Sequence, residues 1–173
     1  MSGHGSTRIT ATVISLVIML CCLVPQPASA APLEGSPIVL RSGDWAVHRT
    51  QDSMTDANIC TAIYRDDYAV QLGSHTLAIG IADGLRNVTL RFDEDKAYPA
   101  RQPKRSERAV GAIDIEGADF DQLLRSRRLR YRALTANDAI VEGDIDLNGA
   151  MDAYRNIQAG CVGDPLPSAE RRR

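Results

Sequence analysis

The twelve residues from Asp144 to Arg155, Asp-Ile-Asp-Leu-Asn-Gly-Ala-Met-Asp-Ala-Tyr-Arg, decide how the chain is read. Asp144, Asp146 and Asn148 at alternate positions, followed by Gly149, match the first half of a calcium loop. The twelfth position of such a loop must supply a bidentate glutamate, and here it is Arg155, a cation. The residues before Asp144 alternate as a strand and do not wind as an entering helix. The stretch therefore reads as a strand running into a helix capped by Asn148, with Asp152 near the positive end of that helix. Asp144, Asp146 and Asn148 carry a second reading, a calcium-dependent module or small hydrolase, with Asp152 as a further calcium ligand.

Just upstream, Arg128 to Asp146 folds back on itself around Ala136-Asn137-Asp138. Setting Leu134 against Ile140 places Arg132 opposite Glu142, Arg130 opposite Asp144 and Arg128 opposite Asp146. The other face then pairs Leu129 with Ile145 and Ala133 with Val141. A one-residue slip would mix charged and apolar faces, so the pattern selects this antiparallel register.

Earlier segments carry the same period-two signal. Trp45 and Val47 share a face in a strand opening near Gly43, and Ile59 to Tyr64 forms another. Leu77, Ile79 and Ile81, then Val88, Leu90 and Phe92, read as a hairpin turning at Asp83-Gly84, with Ile79 opposite Leu90. A further strand carries Gly111, Ile113 and Ile115. Asp119 is the expected N-cap of a short helix whose buried stripe is Phe120, Leu123 and Leu124. In the last helix Met151, Tyr154, Ile157 and Cys161 recur on one face. The expected fold is α+β. It has an antiparallel sheet of about six to seven strands in hairpins, and two short helices, near 119–127 and 148–160, packed on it.

The ends of the chain fall outside this domain. Arg8 and the amino terminus precede an apolar run, Ala11 to Val24, of about 14 residues, within the signal-peptide range. Pro25 and Pro27 follow, and Ala28-Ser29-Ala30 places small residues for cleavage after Ala30. The run is shorter than the roughly 20 residues of a membrane span, so no span is expected after cleavage. Leu20 before Cys21 is too bulky for lipid attachment. The boundaries are a signal peptide at 1–30, a leader segment at 31–42, a single domain at 43–162 and a disordered basic tail at 163–173. The expected location is the periplasm or outside the cell.

Cleavage removes Arg8 from the 20 basic residues and none of the 22 acidic ones, so the balance stays mildly acidic and argues against nucleic acid as partner. It also removes Cys21 and Cys22. The remaining pair, Cys60 and Cys161, in an exported chain points to one disulfide. Aromatic content of 5% argues against a sugar cleft lined with stacked rings. No G-x-S-x-G elbow, glycine-rich phosphate loop or C-x-x-C spacing occurs, so no catalytic residue and no cofactor is assigned. The Asn87-Val88-Thr89 sequon falls in a strand and is discounted.

The densest chemistry is cationic. Lys96 to Arg108 holds five basic residues and two prolines without apolar period, and reads as an exposed loop. Arginines crowd 125–132, where Arg128, Arg130 and Arg132 find acidic partners across their own hairpin. Arg101, Lys104, Arg105, Arg108, Arg125 and Arg127 are left as the expected contacts to an anionic surface polymer or an envelope protein.

Trp45-Ala46-Val47 at the domain start, Cys60 in the next strand, and Ile145 to Met151 before Cys161 resemble the invasion-associated locus B family of small exported alphaproteobacterial proteins. The likeness spans about residues 43–161, while the family's further mid-chain cysteines have no counterpart here. It implies a non-enzymatic envelope protein on an antiparallel sheet, with no catalytic residues to carry over. The functional expectation is an exported binding module of the cell envelope.

Overall fold

The structure, a computed structural model, describes residue 33 and residues 35–167. The expected signal peptide and the end of the basic tail lie outside the described residues. The fold is α+β, and the described residues form nine antiparallel strands in two sheets, three helices and one disulfide.

The larger sheet has the order β1-β2-β3-β4-β5-β7. Its strands are β1 (Ile38–Ser42), β2 (Trp45–Gln51), β3 (Asn58–Tyr64), β4 (Asp67–Leu72), β5 (Thr76–Gly80) and β7 (Ala112–Glu116). The smaller sheet has the order β6-β8-β9, from β6 (Asn87–Phe92), β8 (Arg128–Leu134) and β9 (Ile140–Asp146). Helix α1 (Arg105–Val110) precedes β7, α2 (Ala118–Arg125) follows it, and α3 (Ala150–Gln158) packs on β1, β2 and β3.

Two strands had weak local signals. β1 falls inside the segment read as a leader, and it pairs with β2 through a register shift between Ile38 and Leu40. β4 follows β3 through Arg65 and Asp66, which both have positive φ (51° and 57°). A tight hairpin turn asks for such angles, and asparagine or glycine usually supplies them. Here Arg65 is held instead by Asp44, through its backbone N–H to the Asp44 carbonyl (2.8 Å) and its guanidinium to the carboxylate (2.7 Å).

The expected hairpin of residues 77–92 is not formed. β5 pairs with β4 and β7, while β6 pairs with β8 in the other sheet, and residues 81–86 cross between them. All six apolar side chains, Leu77, Ile79, Ile81, Val88, Leu90 and Phe92, are still buried in one core. Period two specifies which face is apolar and leaves the partner strand open. Two strands can meet face to face in a core as well as edge to edge.

The β8–β9 hairpin has the expected register, from Arg128 opposite Asp146 to Leu134 opposite Ile140. Both helix caps move by one or two residues. α2 starts from Gly117 (φ 61°) and takes Asp119 into its first turn, and α3 starts from Gly149 (φ 89°) and not from Asn148. The reason for the second is contact. A Cβ on Gly149 would strike the Ser42 backbone, and one on Gly43 would strike the Asn148 carbonyl, so the β1–β2 turn and the start of α3 touch main chain to main chain. The buried face of α3 is Ala150, Ala153 and Ile157 leading to Cys161, with Met151 and Tyr154 at its border. Small alanines let this helix sit close to the strands, which rotates the expected stripe.

The Cys60–Cys161 disulfide, with Cα atoms 5.8 Å apart, joins β3 to the turn after α3. Trp45 and Tyr64, paired at the other end of the β2–β3 ladder, hold the end of β9. The Trp45 Nε1–H donates to the Asp146 carbonyl (3.2 Å), and the Tyr64 hydroxyl accepts from the Asp146 N–H (3.0 Å). The described part of the tail is ordered against β1, where the Leu166 N–H donates to the Ile38 carbonyl (2.7 Å).

Candidate anion-binding face

On the outer face of the smaller sheet, side chains alternate away from the core residues Val88, Leu90, Phe92, Leu129, Ala133 and Ile145. The register aligns them in rows across the three strands. Thr89, Arg132 and Glu142 form one row, and Arg91, Arg130 and Asp144 form the next. A concavity of about 580 Å³ lies over these rows, with Ala97 from the loop after β6 at its side. Each pair is tied laterally. Arg132 bonds Glu142, Asp144 lies 3.4 Å from Arg128 and 3.8 Å from Arg130, and Glu94 reaches Arg130 at 2.6 Å and Arg91 at 3.1 Å.

One consequence is for the calcium reading. Asp144 faces two guanidinium groups, and an Asp146 oxygen accepts the Asn148 N–H (2.9 Å). Asp152 accepts the Ser42 hydroxyl (3.1 Å) and lies 3.5 Å from Arg155. The four residues are thus spread over three different jobs. Among the described residues no three His, Cys, Asp or Glu side chains gather as a metal site.

The cations expected from sequence divide into two groups. Three are engaged within the protein. Arg101 grips Glu107 with two bonds of 2.7 Å, Lys104 bonds Glu116 (2.6 Å), and Arg108 donates to the Pro103 carbonyl (2.5 Å). The segment from 96 to 108 is therefore not an open loop. Tyr98 and Arg101 pair with Leu90 and Val88 along the edge of β6, and the rest winds into α1. Arg105, Arg125 and Arg127 stay on the surface, and Arg125, Arg127 and Arg128 ring a second hollow with Asp93, Glu94, Asp95 and Asp146.

Glu107 explains that local order. Its side chain has no exposed surface and accepts from Arg101, from the Lys104 N–H (2.6 Å) and from the Asp114 N–H (3.0 Å). Burial opposes its ionisation, but Arg101 and the two backbone N–H groups outweigh it and hold the carboxyl below the usual range. Arg91 was missed by sequence reasoning because its significance lies across the sheet, opposite Arg130. Only the partnering of β6 with β8, invisible along the chain, brings these two together.

Among the described residues His48 is the buried histidine, and it lies on the face of β2 away from the main core. Its Nδ1 is 2.9 Å from the Ser36 hydroxyl, which itself donates to the Leu33 carbonyl (2.6 Å). The Ser36 hydroxyl thus has a backbone acceptor besides the imidazole, and among the described residues the buried His48 Nε2 has no hydrogen-bond partner to orient it. Burial holds the His48 pKa below its ordinary value, against a hydrogen bond to the Ser36 backbone and with help from Arg41.

No protein-family model matches the chain. No curated protein matches it by sequence. By structure it is similar to the invasion associated protein B of Bartonella henselae, at 16% identity and a TM-score of 0.48, over 70% of this chain and 95% of that one. A likeness of that degree carries no residue's role across. No helix among the described residues is long and apolar enough to cross a membrane.

Proposed function

We propose that the chain is an exported, non-enzymatic binding module of the bacterial envelope that holds an anionic surface polymer on the outer face of β6-β8-β9. The observation that carries this reading is the concavity lined by Arg91, Arg130 and Arg132, three guanidinium groups on one sheet face, beside the carboxylates of Glu142 and Asp144. Arginine forks bind phosphate and carboxylate groups bidentately, and they are the usual choice where planar oxyanions are recognised. Arg125 and Arg127 add two surface cations at the end of α2, in a hollow they share with Arg128, Asp93, Glu94, Asp95 and Asp146. The signal-like amino terminus and the disulfide agree with an oxidising compartment outside the cytoplasm.

The test is binding of the mature, oxidised protein to immobilised lipopolysaccharide, intact and with its phosphates removed. Intact polymer should bind in a manner weakened by salt, and Arg130→Gln should lower affinity about tenfold, the usual worth of a charge-assisted hydrogen bond. Equal binding to both polymers, or to wild type and variant, would sink the proposal. Capture of a folded envelope protein at the same face, with no polymer binding, would replace it.

A further inference from the structure

The ladder places Arg91 directly opposite Arg130. Like charges in that position repel, and sheets avoid them unless something sits between. Here the something is Glu94, in the turn that follows β6. One carboxylate oxygen meets Arg130 at 2.6 Å and the other meets Arg91 at 3.1 Å. The two cations are the fixed partners. Arg91 is further held by the carbonyls of Asp95 (2.7 Å) and Glu94 (3.2 Å), and the two guanidinium side chains are only 34% and 31% exposed. The anion is the loose partner, with 77% of its side chain exposed. Glu94 approaches from the neighbouring hollow after β6, while Arg91 and Arg130 also line the concavity of about 580 Å³, which is far larger than one carboxylate.

The β9 side of the concavity has different chemistry. Glu142 and Asp144 line that side, where Glu142 bonds Arg132 and Asp144 lies 3.8 Å from Arg130, and Thr89 lies on the β6 side. Carboxylates repel a second oxyanion but accept hydrogen bonds from hydroxyl groups. A ligand matching both sides has one oxyanion at the arginine end and several hydroxyls at the acidic end. From this geometry we infer that Arg91 and Arg130 form the oxyanion subsite for an anionic sugar unit, a sugar phosphate or a uronate, and that Glu94 is a built-in occupant which the ligand displaces. The inference rests on the proposed polymer-binding face and names the chemical unit recognised there.

The experiment compares wild type, Glu94→Gln, Asp95→Asn and the double variant Arg91→Gln/Glu94→Gln, each as mature oxidised protein. Amide chemical shifts are followed during titration with glucose 1-phosphate, glucuronate, inorganic phosphate and glucose at matched ionic strength. Removing the internal competitor should tighten glucose 1-phosphate binding about fivefold in Glu94→Gln, the factor one exposed ion pair is worth. Asp95→Asn changes net charge equally in the same turn and should behave as wild type, and the double variant should lose the site. Equal gains in Glu94→Gln and Asp95→Asn would overturn the clamp, because long-range charge would then explain both. Inorganic phosphate binding as tightly as glucose 1-phosphate would overturn the sugar assignment.

Stability supplies a second measurement. Glu94→Gln leaves Arg91 facing Arg130 unbridged, so its melting temperature should fall at low salt. Glucose 1-phosphate should restore it more than chloride does, and equal restoration would count against the clamp. If the titrations behave as expected while lipopolysaccharide fails to bind, the polymer reading fails and the clamp stands. Polymer binding without an effect of Glu94→Gln would mean the reverse.

Discussion

At Glu107 a carboxylate with no exposed surface accepts four hydrogen bonds, two of them from Arg101. Glu107→Gln removes the charge that Arg101 was placed to meet, so about 3 kcal/mol of stability should be lost in urea unfolding. A loss below about 1 kcal/mol would mean the pair is dispensable, as isolated surface pairs are. Since the native carboxyl is held below its ordinary value of 4.5, this contribution is complete above that pH and drains away as pH falls through the lower native value. His48 adds a second slope at higher pH. The unfolded chain takes up a proton near 6.5 and the native imidazole only lower. Over that interval the unfolded state binds more protons, so stability declines as pH drops below 6.5. Melting curves between pH 5 and 8 should show this decline in wild type and a flatter profile in His48→Gln; identical profiles would remove His48 as the cause.

At the scale of elements, the β8–β9 hairpin was legible because two independent patterns agreed on one register. Charges paired across one face while apolar residues paired across the other. Arg132→Glu should therefore destabilise modestly, and adding Glu142→Arg should recover part of the loss, with a coupling of about 0.2–1 kcal/mol for an exposed pair. A double-mutant cycle with no coupling would contradict the ladder. The pairing of residues 77–81 with 88–92 was misread for the opposite reason. Both segments present apolar residues at alternate positions, and nothing local distinguishes an edge partner from a strand across the core. β4 escaped notice because its turn uses Arg65 and Asp66 at positive φ, supported by a contact to Asp44 that lies 21 residues earlier. α1 escaped because its anchor is a charged residue, Glu107, buried by partners that no periodicity reveals.

For the whole molecule, the Cys60–Cys161 disulfide closes a loop of 101 residues. The chain-entropy model values such a cross-link at about 4.7 kcal/mol, a large share of a small domain's stability. Cys161→Ser, or reduction of the wild type, should lower the melting temperature by well over 10 °C, and coincident curves for oxidised and reduced protein would show that the link adds nothing. The same link ties β3 to the turn after the last helix, while Trp45 and Tyr64, gripping the Asp146 backbone, tie the first strands to the end of β9.

The sequence alone determined the fold class, the cysteine pair, the faces of most strands and the register of the last hairpin. Each of these is written in residues close along the chain, or in the count of one residue type. The tertiary structure alone decided which strands are neighbours, which cations are consumed by Glu107 and Glu116, and that Arg91 meets Arg130 around Glu94. Those outcomes depend on contacts between distant segments, which are settled by how two apolar faces share one core. Local periodicity carries no term for that choice.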